Sequence, residues 1–302
     1  MDITFLWVPV TLIAAAGQVA RNAMQRRLTE TIGTVGATQV RFLYGFPFAL
    51  VFLACILLAT GESLPGPGAG FAGFLVLGAV SQILATAMML AAMRDRSFSV
   101  VTALIKTEAI QIAVFGFLVL GDRLSLPGIL AVGIASAGVV AMSWSKRTAG
   151  EALQGGLKPI ALGIVSGGLF ALSAVGYRGA ILALDSGSFL VRASTTLSCA
   201  LALQTAILLV WLLAFDRAAM MGSLREWRSS LLAGFTGAAA SQFWFIGFAL
   251  TAAANVRTLA LVEVLMAQAV SRKLLHQDTS RREIAGMAMI VVGVLLLLVS
   301  AR

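Results

Sequence analysis

Apolar residues in this chain come in ten runs, near residues 3–24, 35–59, 69–93, 97–120, 126–144, 157–182, 188–214, 229–251, 256–275 and 283–300. A helix needs about 20 such residues to cross about 30 Å of hydrocarbon, so each run can span a bilayer. The breaks between them carry turn chemistry, as in Gly61-Glu62-Ser63-Leu64-Pro65-Gly66-Pro67-Gly68, Leu126-Pro127-Gly128, Lys158-Pro159 and Asp185-Ser186-Gly187. No run alternates apolar and polar residues as the strands of a membrane barrel do. The pattern predicts an all-α polytopic membrane protein with ten transmembrane helices. The runs leave no length for a soluble domain; the longest hydrophilic stretches are 145–158 and 215–228. Composition agrees, with 59% apolar and 12% charged residues, where soluble chains carry about 45–50% and about 25%. One His and two Cys exclude a His/Cys metal centre and a disulfide scaffold, so no metal and no cofactor is expected. The first run lacks a basic segment before it and is longer than the apolar core of a secretory signal.

The net charge of +9 has a topological reading. Odd-numbered loops hold 14 of the 22 Lys and Arg, whereas even-numbered loops and the C-terminal tail hold 3, namely Arg123, Arg257 and Arg302. Basic loops stay in the cytoplasm, so both termini are expected outside a bacterial-type inner membrane. The charges are spread over short loops, which points to a lipid bilayer and away from nucleic acid. Trp7, Trp144, Trp211 and Trp227 fall at run ends, where interfacial anchors belong. The other five basic residues, Arg21, Arg41, Lys106, Arg178 and Arg192, lie within runs.

Intramembrane polar residues recur between the halves. Arg21 matches Arg178, Arg41 matches Arg192, Ser81-Gln82 matches Ser241-Gln242, and Glu108 matches Glu263 at an offset of 155. Asp122 and Gly138 match Gln277 and Gly293 at that same offset of 155. The division is a five-helix repeat at 1–146, a central loop at 147–156 and a second repeat at 157–302. Five helices per repeat force opposite orientations, the inverted plan of many secondary transporters, whose site lies near the midplane.

These residues carry a family resemblance. Arg41-Phe42, the series Glu108 … Leu120-Gly121-Asp122-Arg123-Leu124-Ser125 … Gly138, and its degraded copy Glu263 … Leu275-His276-Gln277-Asp278 … Gly286 … Gly293 resemble the drug/metabolite transporter superfamily, in its ten-span branch of two EamA-like repeats. Where that family often has Pro after the mid-helix Glu, this chain has Ala109 and Val264. Many relatives place both termini in the cytoplasm, against the charge count here. The resemblance implies a central cavity ringed by spans 1, 3, 4, 6, 8 and 9.

Glu108 and Glu263 fall near mid-span, where a charge costs about 2.5–3.5 kcal/mol on insertion scales. Each is either a proton or substrate site, or a buried acid bonded to a neighbouring helix. Lys106 has Leu261 as its counterpart and cannot face Glu108 two residues on. It needs a substrate carboxylate or a partner on another helix, Glu263 being one choice. Gln18 and Asn22 on span 1, Gln82 on span 3, Gln111 on span 4, Tyr177 on span 6 and Gln242 on span 8 form polar stripes, as cavity lining or as interhelical hydrogen bonds. Trp244, within Phe243-Trp244-Phe245 and near Phe248, is a pocket wall or plain packing. Arg21, Arg41, Arg178 and Arg192 lie near run ends, where they either snorkel or form a pair of basic mouths, one per membrane face, that attract anionic or zwitterionic solutes.

The expected function is a gradient-driven transporter of small organic metabolites, such as amino acids or related carboxylates, with export favoured. No ATP-binding loop is present, so protons are a candidate coupling ion. The expected partners are a small-molecule substrate and lipid, with the chain a monomer or homodimer. The alternative is a flippase for lipid-linked sugar or undecaprenyl-type substrates. A membrane-embedded enzyme would need a nucleophile and base or a metal constellation, which a chain with one His and no Asp within its spans does not offer.

Overall fold

The structure, a computed structural model, describes residues 5–95, 101, 104–143, 157–266 and 281–300. The central loop 147–156, Trp144 and the degraded copy at 275–278 lie outside the described residues. The helices whose two ends fall among the described residues are, in order, α1 (Trp7–Leu43), α2 (Phe46–Thr60), α3 (Phe71–Asp95), α4 (Glu108–Leu120), α5 (Leu126–Ser143), α6 (Leu157–Leu182), α7 (Phe189–Phe215), α8 (Arg217–Arg225), α9 (Trp227–Leu250), α10 (Ala253–Leu259) and α11 (Arg281–Ser300), and residues 262–266 are also helical. The described residues form no strand; Pro67 and Leu184 make one isolated bridge.

Among the described residues, six helices are long and apolar enough to cross a membrane, with the α1–α2 stretch Trp7–Thr60 taken as one, and α4 and α5 are shorter apolar helices. That first stretch is not a single rod. Gly33 has φ 71° and ψ 176° inside α1, a conformation glycine adopts freely. It reverses the chain, so that Gln25 reaches back and donates to the Ala37 carbonyl at 3.0 Å. A second break falls at Tyr44 and Gly45, just before Pro47 near the start of α2. Proline lacks the amide a continuous helix would need, so the second run is an interrupted helix rather than the single span its hydropathy predicts.

The partition of side chains is the reverse of a soluble protein's. Leu58, Leu118, Val210, Phe215 and Leu295 face outward, while Arg21, Arg41, Lys106, Glu108, Arg257 and Glu263 are buried. An apolar exterior of this extent is what lipid solvation requires. Trp7, expected at an interface, is instead packed beside Leu259, Leu261 and Leu297, because α1 turns that face inward.

The most extensive pairings are α3 with α6, α5 with α11, and α1 with α9. Small residues allow the close approach. A Cβ on Gly176 would lie 2.6 Å from the Gly78 backbone nitrogen. On α5 and α11 the contacts are reciprocal: Gly138 abuts Gly286 and Ile290, and Gly293 abuts Ala131 and Ala135.

Loops at one end of the helices are tied across the halves. Gly68 donates to the Ala183 carbonyl at 2.9 Å and Asp185 to that of Gly66 at 3.2 Å. The Ser188 amide donates to the Glu62 carboxylate at 2.6 Å. Those Ser188 hydrogen bonds hold the Glu62 carboxyl below the usual carboxylate range.

Candidate functional site

The fourth and ninth runs, predicted as continuous helices, both break inside the run, the fourth near its centre and the ninth a few residues after its start. Helix stops at Lys106 and Thr107 and resumes at Glu108. Thr107 donates its hydroxyl to the Leu104 carbonyl at 2.8 Å, a local bond that competes with the helical ladder. The ninth run breaks at Ala260 and Leu261 and resumes from Val262. Glu108 and Glu263 therefore each sit in the first turn of a resumed helix, where the backbone dipole favours a negative charge. Gly167 of α6 makes room for the first break: a Cβ there would lie 2.8 Å from the Ile105 carbonyl oxygen.

These breaks face one another across a polar centre. Lys106 forms an ion pair with Glu263, both side chains being almost wholly buried. Arg257 of α10 pairs with Glu108 at 3.4 Å. The Arg257 guanidinium also lies 4.2 Å from the Trp244 ring centroid, a cation–π contact. Arg21 and Arg41 complete the cluster. Arg21 donates to Asn22 Oδ1 at 3.0 Å, and Arg41 to Thr86 Oγ1 at 3.0 Å. Both arginine stems pass over Gly237 of α9, where a Cβ would lie 3.3 Å from Arg21 Cδ and 3.6 Å from Arg41 Cγ. The Arg21 Nη1, Arg41 Nε and Arg257 Nε atoms are buried without a hydrogen-bond partner among the described residues.

Two adjoining cavities occupy this centre. The first, about 20 Å³, is lined in part by Gln18, Arg21, Asn22, Lys106, Glu108 and Glu263. The second, about 10 Å³, is walled in part by Arg41, Gln82, Tyr177, Trp244 and Phe248. Gln18, Phe170 and Arg257 border both. A water needs about 10–15 Å³, so in this conformation the centre admits water but no metabolite. A third, largely apolar groove of about 430 Å³ runs between α4 and α5, with Lys106 and Thr107 at its margin.

The remaining candidates have other partners. Gln82 accepts from Tyr177 at 3.0 Å and from Gln204 at 2.9 Å, joining α3, α6 and α7. Gln242 donates to Ser194 at 2.8 Å and borders neither cavity. Gln111 donates to Thr107 at 3.1 Å within its own turn and is likewise outside both linings.

The arginines correct the snorkelling expectation. Arg21 and Arg41 are 2% and 3% exposed, because the kinks in the first stretch carry them inward. Arg178 spans the halves instead of facing solvent, meeting Asp122 at 3.1 Å and the Phe248 and Thr251 carbonyls at 2.7 and 2.6 Å. Arg192 is partly buried, and its Nε has no partner among the described residues. Arg257, an even-loop residue by the charge count, belongs to the buried centre. Its only sequence signal is its place just inside the ninth run. Gln204, a lone amide within the seventh run, carried the signal for the three-helix network. Among the described residues no cluster of three or more His, Cys, Asp or Glu is arranged to hold a metal ion.

Broken helices around a buried ionic centre, inside a lipid-facing bundle, define a multi-pass membrane protein of transporter type. The EamA-like transporter family model matches residues 5–144, a little under half of the chain, and over that stretch the chain is similar to this family of membrane transporters. No curated relative matches the chain. Among 28 similar chains of known structure, one described as a crystal structure of a protein shares the fold at TM-score 0.65 and 16% identity, covering 97% of each chain.

Proposed function

We propose that this protein is a secondary active exporter of small organic metabolites bearing a carboxylate or similar anionic group, working by alternating access. The buried centre carries this reading. Both halves contribute to it, and six ionisable side chains meet there at a cost the fold alone does not require. The functional ring is Gln18, Asn22, Lys106, Glu108, Tyr177, Trp244, Arg257 and Glu263, with Arg21 and Arg41 moved from the mouths into it.

Ten spans in two inverted repeats underlie the mechanism. Several observations support this: the pairing of α3 with α6 and α1 with α9 exchanges onto itself when the halves are swapped. The α5–α11 contacts do the same residue by residue, since Gly286, Ile290 and Gly293 lie 155 positions after Ala131, Ala135 and Gly138. Rocking of one repeat against the other opens the centre to alternate faces. Opening toward the even loops parts Arg178 from Asp122 and the Ser188 amide from Glu62. The charge bias places the odd loops in the cytoplasm of an inner membrane and the termini outside. Protons are the proposed driving ion, with Glu108 or Glu263 as carrier when its cation partner is drawn to substrate.

The test is solute counterflow in proteoliposomes with labelled metabolites. Saturable exchange is expected, with Glu108→Gln retaining exchange and losing accumulation driven by a pH gradient. Undiminished accumulation by that variant removes Glu108 from coupling. A second reading is a flippase for lipid-linked anions, favoured by the apolar groove between α4 and α5 that reaches Lys106. It predicts headgroup scrambling in the same vesicles.

A further inference from the structure

The charges around the two cavities do not balance. Arg21, Arg41, Lys106 and Arg257 face two carboxylates, Glu108 and Glu263, and no other carboxylate lines either cavity among the described residues. Each carboxylate is already paired, with Arg257 and Lys106. Arg21 and Arg41 make hydrogen bonds to neutral groups, Asn22 and Thr86, and neither has a carboxylate in ion-pair contact among the described residues. A guanidinium cannot shed its proton to escape burial. Two such groups share the Gly237 surface, and one buried N–H-bearing nitrogen on each has no acceptor. Like charges held together in a low dielectric repel strongly, so a ligand gains most by bringing negative charge in excess.

The kind of ligand follows. A zwitterionic amino acid brings no net charge, and its ammonium would have to take Glu108 or Glu263 from an existing cation. A solute with two negative charges neutralises Arg21 and Arg41 without disturbing either pair. The Arg fork suits a carboxylate or a phosphate equally, and Trp244, Phe248 and Phe170 supply an apolar wall for the carbon skeleton.

We propose that the transported solute is a small organic dianion, a dicarboxylate or a phosphate monoester, whose excess charge is held by Arg21 and Arg41. This rests on the carrier reading above and narrows it away from amino acids.

The experiment is counterflow in proteoliposomes with four labelled probes: succinate, glycerol phosphate, lactate and glutamine. Saturable exchange is expected for succinate, glycerol phosphate or both, exceeding lactate and glutamine by tenfold or more. Exchange of one dianion alone identifies the carboxylate or the phosphate as the source, and exchange of both identifies charge as the criterion. Arg21→Gln and Arg41→Gln should each lower dianion exchange about ten- to a hundredfold, the worth of a charge-assisted hydrogen bond. Arg41→Lys, which keeps the charge, should lose less than Arg41→Gln. Size-exclusion profiles establish that each variant is folded, and Arg21→Lys replaces Arg21→Gln where the latter is not. Glutamine or lactate exchanged as well as the dianions overturns the dianion assignment and leaves a carrier. Dianion exchange indifferent to both arginines overturns their role. No saturable exchange of any probe by folded protein overturns the carrier reading and this inference with it.

Discussion

The Glu108–Arg257 pair offers the sharpest energetic test, because removing either half leaves a buried charge without its partner. Both side chains are under a tenth exposed and meet at 3.4 Å. Removing one partner of a buried pair costs about 3–5 kcal/mol, mostly through the charge left behind. Glu108→Gln strands a guanidinium that stays charged at any working pH. The cation–π contact with Trp244 at 4.2 Å exists before and after, so it does not offset that loss. We expect a cost of about 3–5 kcal/mol, constant with pH. Arg257→Gln strands a buried carboxylate in the same way and is expected to cost about 3–5 kcal/mol as well. The double variant has two neutral amides and should cost less than Glu108→Gln alone. Equilibrium unfolding in mixed micelles, followed by circular dichroism, measures all three. A Glu108→Gln cost below about 1 kcal/mol, or a double variant equal to the sum of the singles, refutes the reasoning.

Other consequences are open to simpler assays. Arg178→Lys loses the fork that holds Asp122 and two α9-end carbonyls and should destabilise by about 1.5–3 kcal/mol in thermal or chemical unfolding. Gly176→Ala collides with the Gly78 backbone, whereas a Cβ on Gly133 meets nothing within 4 Å. The first should cost about 1–3 kcal/mol and the second be neutral or stabilising by up to about 1 kcal/mol. Glu62 is held below its ordinary range by Ser188, so this contact is present above the ordinary carboxylate pKa and lost as pH falls through the depressed value. Protection of the Ser188 amide, corrected for intrinsic exchange, should follow that course and be absent at every pH in Glu62→Ala, which has no side-chain acceptor.

The fold class was legible because lipid imposes a one-dimensional constraint: a span must be apolar over its length, and hydropathy along the chain reads that directly. Glu108, Glu263 and Lys106 were legible for the same reason, since a charge in hydrocarbon stands out against its neighbours. Pairing is not one-dimensional. Lys106 has Glu263 as one stated choice in the sequence, but the pair is fixed only by the facing breaks at Lys106–Thr107 and Ala260–Leu261, neither of which contains Gly or Pro. Arg21 and Arg41 read as snorkelling residues because distance from a run's end is all that sequence gives. The bend at Gly33 and the interruption before Pro47 turned them inward. Arg257 was hidden at a run margin, where a residue or two decides between loop and core. Sequence thus determined which residues enter the membrane and which of them are costly there. Only the tertiary structure decided who neutralises whom, because Coulomb energy depends on distance in space and on burial, and the helix breaks that set both come from packing between the halves.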